Sequence, residues 1–141
     1  MSLSEYLKNF IGCPYVWAGD GSGKCGGGFD CSGLVLEGLW AIGALPQKDM
    51  TAQGIHDAIL DKSGHVVPRP YVSADDLLFF GKDVDHITHV AVALDLDLMI
   101  EAGGGGSKCT TPSASTGMVR VRPISWRKDL VAALRYKAPA N

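Results

Sequence analysis

Apolar positions in the first third of the chain recur at helical spacing. Leu3, Tyr6, Leu7, Phe10 and Ile11 fall on one face of a short helix predicted over residues 3–11. Asp30 is placed as the N-cap of a longer helix over Cys31–Ala44, with apolar residues at Leu34, Val35, Leu39, Trp40 and Ile42. A further short helix is predicted over Thr51–Leu60. Beyond Pro68 and Pro70 the pattern changes to short apolar runs: Leu77–Phe80, Thr88–Leu94, Leu98–Ala102, Met118–Val121 and Leu130–Tyr136. The last of these is equally compatible with a helical turn. Helices first and strands second predict an α+β fold: N-terminal helices packed on a small antiparallel β-sheet. No repeat or linker divides the 141 residues, so 1–141 is expected to be a single domain.

Composition narrows the classes. At 46% apolar and 20% charged residues the chain can bury a core, and its net charge of −2 offers no basic field for nucleic acid. No apolar run approaches the ~18 residues of a membrane span, which argues against membrane insertion. The start, Met1-Ser-Leu-Ser-Glu-Tyr-Leu-Lys8, lacks a basic head followed by an apolar stretch. Synthesis in the cytoplasm without a signal peptide is the resulting expectation.

Glycine is unusually frequent, 18 of 141, with eight between Gly12 and Gly33 and four in the run Gly103–Gly106. The second cluster, continued by a polar stretch to Thr116, is expected to be a flexible loop. Of the four cysteines (Cys13, Cys25, Cys31 and Cys109), none forms Cys-x-x-Cys. A zinc site is therefore not expected, and no cofactor is implied. Any pairing of Cys13 with Cys25 or Cys109 is left open by the sequence. Gly21-Ser-Gly23-Lys-Cys-Gly26 matches G-x-G-x-x-G, but without a preceding strand or a βαβ unit it carries no nucleotide-binding meaning.

Cys31 carries the chemistry. In the first turn of a helix, unpaired amides and the positive end of the helix dipole favour a thiolate. The alternative is a buried cysteine packed as a small hydrophobe. A partner base decides between them. His56 and His65 lie in polar context and are expected at the surface, and His86 falls outside the strand pattern. His89 shares a strand face with Ala91 and Ala93, where the ring can lie flat against a neighbouring helix. An ordinary strand-end histidine is the competing reading. If Asp95-Leu96-Asp97 is a three-residue hairpin loop, His89 lies opposite Gly103 and Glu101 opposite Ala91. Glu101 and His89 are then diagonal neighbours on one face; a two-residue loop would turn Glu101 away. Its alternative is a solvent-facing carboxylate.

Gly12-Cys-Pro-Tyr15-Val-Trp17-Ala-Gly19, Gly28-Phe-Asp-Cys31-Ser-Gly-Leu-Val35, Asp76-Leu-Leu-Phe-Phe80 and Thr88-His-Val-Ala-Val92 together resemble NlpC-type cell-wall cysteine peptidases, in that family's order. The resemblance spans about residues 5–102 and implies a stripped-down papain-like α+β domain. It makes Cys31 the nucleophile and His89 the base, and it places Tyr15 beside the sulfur to position the reacting carbonyl. Asp30 and Ser32 would line the pocket for the amino end of a peptidoglycan stem peptide. Two features depart from the family pattern: Ala18-Gly19 stands for the usual Gly-Gly, and Glu101 stands where His, Asn or Gln is usual. The related CHAP amidohydrolase/peptidases use a glutamate in a similar place. The candidate catalytic residues are thus Cys31, His89 and Glu101. The implied activity is hydrolysis of a D-glutamyl–diaminopimelate or –lysine bond through a thioester. Alternatives on the same scaffold are a thiol amidase or acyltransferase, or a catalytically silent wall-binding or tail-assembly module. With no export signal seen, delivery to the wall by a bacteriophage tail or lysis system or by a secretion system is expected; a cytosolic peptidase recycling wall fragments fits the same sequence.

Overall fold

The computed structural model describes residues 2–16, 28–104 and 117–137. Among the described residues three α-helices precede a six-stranded sheet: α1 (Leu3–Leu7), α2 (Cys31–Ala41), α3 (Ala52–Lys62), then β1 (His65–Val66), β2 (Leu77–Gly81), β3 (Ile87–Ala93), β4 (Leu98–Gly103), β5 (Met118–Pro123) and β6 (Leu130–Arg135). The sheet order is β1-β6-β2-β3-β4-β5, with antiparallel pairing throughout. The α+β class is the one expected, and Leu130–Arg135 is strand rather than helical turn. β1 was not foreseen: two exposed residues beside β6 carry no periodicity to detect. Among the described residues no helix is long and apolar enough to cross a membrane.

Local chemistry sets the helix ends. The Ser2 side chain accepts from the Glu5 amide and donates to the Glu5 carboxylate, satisfying the start of α1. That helix ends at Leu7, and Lys8–Phe10 tightens into a 3₁₀ turn that leaves Ile11 exposed rather than on the buried face. Thr51 caps α3 through the Gly54 amide at 3.0 Å. α2 is apolar almost all round, with Leu34, Val35, Leu36 and Leu39 buried, as a helix sandwiched between other elements requires.

The sheet divides the core. On one side α1, α2 and α3 bury Leu3, Leu7, Leu34, Val35, Leu39, Ile55 and Ile59 against Phe79, Val90, Val92 and Ile100. On the other, Leu78, Phe80, Ala91, Ala93 and Met99 pack with Val67, Val72 and Ile124. α2 thus lies on the Val90/Val92 face of β3, not on the Ala91/Ala93 face. The small-residue argument for bringing His89 to the helix is wrong, and its replacement is a bulge described below.

α1 docks on α2 through Gly38. A Cβ there would collide with Leu3 and come within 2.9 Å of Leu7, both fully buried. Gly38→Ala is therefore expected to lower stability by ~1–3 kcal/mol, as overpacking does, despite alanine's better helix propensity. Chemical denaturation checks this; an unchanged or raised midpoint would contradict it.

Candidate active site

Asp30 is the N-cap of α2. Its carboxylate accepts from the Gly33 amide at 2.6 Å and from the Ser32 hydroxyl at 3.2 Å. An isolated parallel bridge between Tyr15 and Phe29 holds the chain entering this cap, and the Tyr15 amide donates to the Gly117 carbonyl at 3.0 Å. Tyr15 is buried, and its bridge partner Phe29 stands two residues before Cys31 in sequence, while Asp30 and Ser32 are partly exposed at the start of α2. Cys31 is a free, partly exposed thiol in the first turn. Helix geometry leaves the Cys31 and Ser32 amides without intrahelical acceptors. Cys13 is disulfide-bonded; Cys25 and Cys109 lie outside the described residues, as does most of the predicted loop from Gly103 to Thr116.

The sheet brings His89 to this thiol by a register shift. His89 pairs with Phe80, but Ile87 pairs with Gly81, so Thr88 is left over in β3. A second shift falls between Phe79 and Phe80 on the β6 side of β2. The surplus Thr88 is exposed, and its carbonyl lies 4.0 Å from Cys31 Sγ. The shift also breaks the side-chain alternation: Ile87 and Val90 both enter the helix-side core, and the His89 ring between them lies 5.5 Å from that of Phe80, which packs on the other side. Gly81 permits the close approach, since a Cβ there would run into the His86 carbonyl.

The β3–β4 hairpin supplies the third group. Val92 pairs with Ile100 and Ala93 with Met99, leaving Asp95-Leu96-Asp97 as the three-residue loop. Continued outward, this register sets Glu101 against Ala91, diagonal to His89. The two side chains meet: His89 Nε2 lies 2.7 Å from Glu101 Oε1, with side-chain exposures of 9% and 1%. Glu101 is therefore a buried carboxylate, not a solvent-facing one. With Nε2 held by the carboxylate, Nδ1 is the ring nitrogen left for the hydrogen bond with Cys31.

Burial works against charge on His89, yet hydrogen bonds and charge from Cys31 and Glu101 outweigh it and raise the imidazole to about 9. Burial also opposes ionisation of Glu101. The hydrogen bond and charge of His89, with the charges of Arg122 and Arg127, hold the carboxyl below its ordinary range nonetheless. The pair is thus an imidazolium–carboxylate at neutral pH.

Arg122 went unremarked in the sequence although it closes the site from behind. Its Nη1 donates to Glu101 Oε2 at 3.2 Å, and its guanidinium lies 5.3 Å from the Trp126 ring centroid. The available signal was the alternation Val119-Arg-Val-Arg122, which puts both arginines on one face of a strand next to Glu101. Of the other histidines, His65 and His86 are exposed, whereas His56 is buried, contrary to expectation. It sits edge-on to Phe79 and is bonded to Asp57 at 2.8 Å. Among the described residues no three His, Cys, Asp or Glu side chains converge on a possible metal position.

The family model for NlpC/P60 matches residues 12–133, a span that includes the thiol, the imidazole and the carboxylate. The chain belongs to the NlpC/P60 family. It is 27% identical over 133 residues to a gamma-D-glutamyl-L-lysine dipeptidyl-peptidase of Bacillus cereus, covering 92% of this chain and 34% of that protein. Over 118 residues it is 31% identical to the peptidoglycan endopeptidase RipB of Mycobacterium tuberculosis, covering 77% of this chain and 45% of the relative. The chain thus spans between a third and a half of these curated NlpC/P60 relatives. Among solved structures, the NlpC/p60 domain of the peptidoglycan hydrolase SagA superposes with a TM-score of 0.67 at 25% identity, covering 95% of this chain and 96% of that one. RipD of M. tuberculosis, described as a non-catalytic NlpC/p60 domain protein, shares the fold at a TM-score of 0.64 and 20% identity, covering 94% and 92%.

Proposed function

We propose that this chain is a cysteine peptidase that hydrolyses peptidoglycan stem peptides. The observation that carries the reading is the buried His89–Glu101 pair, 2.7 Å apart, with a free thiol, Cys31, at a helix start against the same strand, its Sγ 4.0 Å from the Thr88 carbonyl. With His89 already protonated, Cys31 Sγ attacks a peptide carbonyl as the thiolate, forming the C–S bond of a tetrahedral intermediate. The amides of the first turn of α2 donate to its oxyanion. As the C–N bond breaks, the imidazolium gives its proton to the leaving amine. The neutral ring next takes a proton from water, whose oxygen attacks the acyl carbon; the C–S bond breaks and the thiolate–imidazolium pair is restored. Glu101 orients the ring through Nε2. Tyr15 helps to place the carbonyl, while Asp30 and Ser32 meet the amino end of the stem peptide at the helix mouth.

The name of the Bacillus relative supports a narrower choice of bond, between γ-D-glutamate and the diamino acid that follows it. Digestion of purified murein tests both levels, with soluble products identified by mass. Stem-peptide fragments gaining one water, and lost after alkylation of Cys31 with iodoacetamide, are the expected result. A product carrying a transferred acyl group would replace the peptidase with an acyltransferase. Absence of any product from murein and from soluble muropeptides would leave a silent binding module.

A further inference from the structure

Glu101 is almost wholly buried, and an ion in that position costs several kcal/mol unless it is paired at every stage of the cycle. His89 cannot provide that pairing throughout. In the reading above, which this inference rests on, the imidazolium gives up its proton to the leaving amine and becomes neutral. At that moment Glu101 needs a cation that does not titrate. Arg122 lies on the oxygen that His89 does not use, 3.2 Å from Oε2, and its side chain is 27% exposed. Trp126 from the following turn covers the guanidinium, so the bridge is shielded more than the arginine's surface position suggests.

We infer that Arg122 is a positioning residue of the Cys31–His89–Glu101 site, holding the carboxylate in its buried orientation and supplying the permanent countercharge that lets His89 release its proton. Two other arginines are less suited to this task. Arg127 acts on Glu101 only through its charge: it forms a bidentate pair with Asp129 and lies over the Phe80 ring. Arg120 stands directly across from Glu101 in the β4–β5 register, but its guanidinium is turned to Gly104.

The consequence has a definite sign. The titratable and charged groups facing the pair are Cys31 from α2, Arg120 and Arg122 from β5, and Arg127 and Asp129 ahead of β6. Removing the guanidinium bonded to Oε2 strengthens the carboxylate's hold on the imidazolium at Oε1. The last proton should then leave the His89–Glu101 pair at higher pH, and His89 should become a poorer acid toward the amine.

The test is an NMR titration of the His89 ring in a Cys31→Ala background, with and without Arg122→Gln. The expected result is an upward move of about half a pH unit or more, with Arg122→Lys restoring most of the original position. With Cys31 intact, kcat/KM on muropeptides at neutral pH should fall about tenfold, through kcat rather than KM, and its alkaline limb should move the same way. A folded Arg122→Gln protein whose titration is unmoved or lowered overturns the inference. Should that variant fail to fold, Trp126→Ala takes its place. It exposes the guanidinium to water, screens the bridge, and should move the titration upward by a smaller amount; no movement overturns the inference equally. The titration needs no turnover. An Arg122-dependent ring in a chain inert on murein would sink the peptidase reading alone, and an unmoved ring in an active enzyme would sink this one alone.

Discussion

Cys31→Ala and His89→Ala are each expected to lower murein hydrolysis by ~10³–10⁴-fold, with the double variant no worse than either single one. Nucleophile and base act as one unit, so removing the second partner removes nothing the first has left working. Their effects on the fold should differ. Cys31 is partly exposed, and the Asp30 cap that starts its helix does not involve the sulfur. Cys31→Ala should therefore melt within ~1 kcal/mol of wild type. His89→Ala leaves Glu101 buried with Arg122 as its remaining bonded cation, and a loss of ~1–3 kcal/mol is expected from the half-emptied pair. Product analysis alongside thermal melts would separate chemistry from folding. Retained hydrolysis in either single variant would exclude the mechanism.

Glu101→Gln should shift the pH dependence in the direction opposite to Arg122→Gln. The amide keeps the shape of the carboxylate but removes the charge that raises His89. The imidazole should drop from about 9 toward its ordinary ~6.5. The alkaline limb of the activity profile should then move down by ~1–2 units, with a ~10–100-fold loss at neutral pH. Stability follows the same linkage. The His89 contribution is fully present below its unfolded value of ~6.5 and is lost as pH rises through about 9. The Glu101 contribution is present above the ordinary carboxylate range and is lost only as pH falls through its lowered folded value. Wild type should therefore lose melting temperature between about pH 6.5 and 9, and Glu101→Gln should show a flatter curve there. An unchanged alkaline limb in the variant would mean that the pair does not set the base.

The elements most legible in the sequence were those fixed by local rules. The Asp30 cap and the apolar α2 follow from a few adjacent residues; the cap occurs where expected, whereas α2 stops at Ala41 rather than Ala44. Thr51 caps α3 instead of opening it, and the loop after β3 has the three residues on which the Glu101 reading was conditional. The link between His89 and Glu101 was legible for the same reason, because one short hairpin determines it. The approach of His89 to Cys31 was harder to read. It depends on a surplus residue, Thr88, and on a glycine in a different strand, Gly81, neither of which disturbs the apolar pattern. The burial of His56 and the bridge from Arg122 were missed because long-range packing created them. His56 faces Phe79 of β2, and Arg122 reaches Glu101 across a strand pair 21 residues apart in sequence.

The hairpin that joins β3 to β4 has a mechanical meaning. Imidazole and carboxylate ride on one rigid arm, anchored by Leu94 and Leu98 beside its loop, whereas the sulfur rides on a separate body, α2. Relative motion of the two bodies leaves the ring–carboxylate bond intact and changes one coordinate, the gap between sulfur and ring. Because Cys31 helps to raise the imidazole, a substrate that widened that gap would also lower the base toward its ordinary value. Reactivity and basicity thereby share one joint, the seat of α2 on the sheet, while the hairpin sets the carboxylate's part alone.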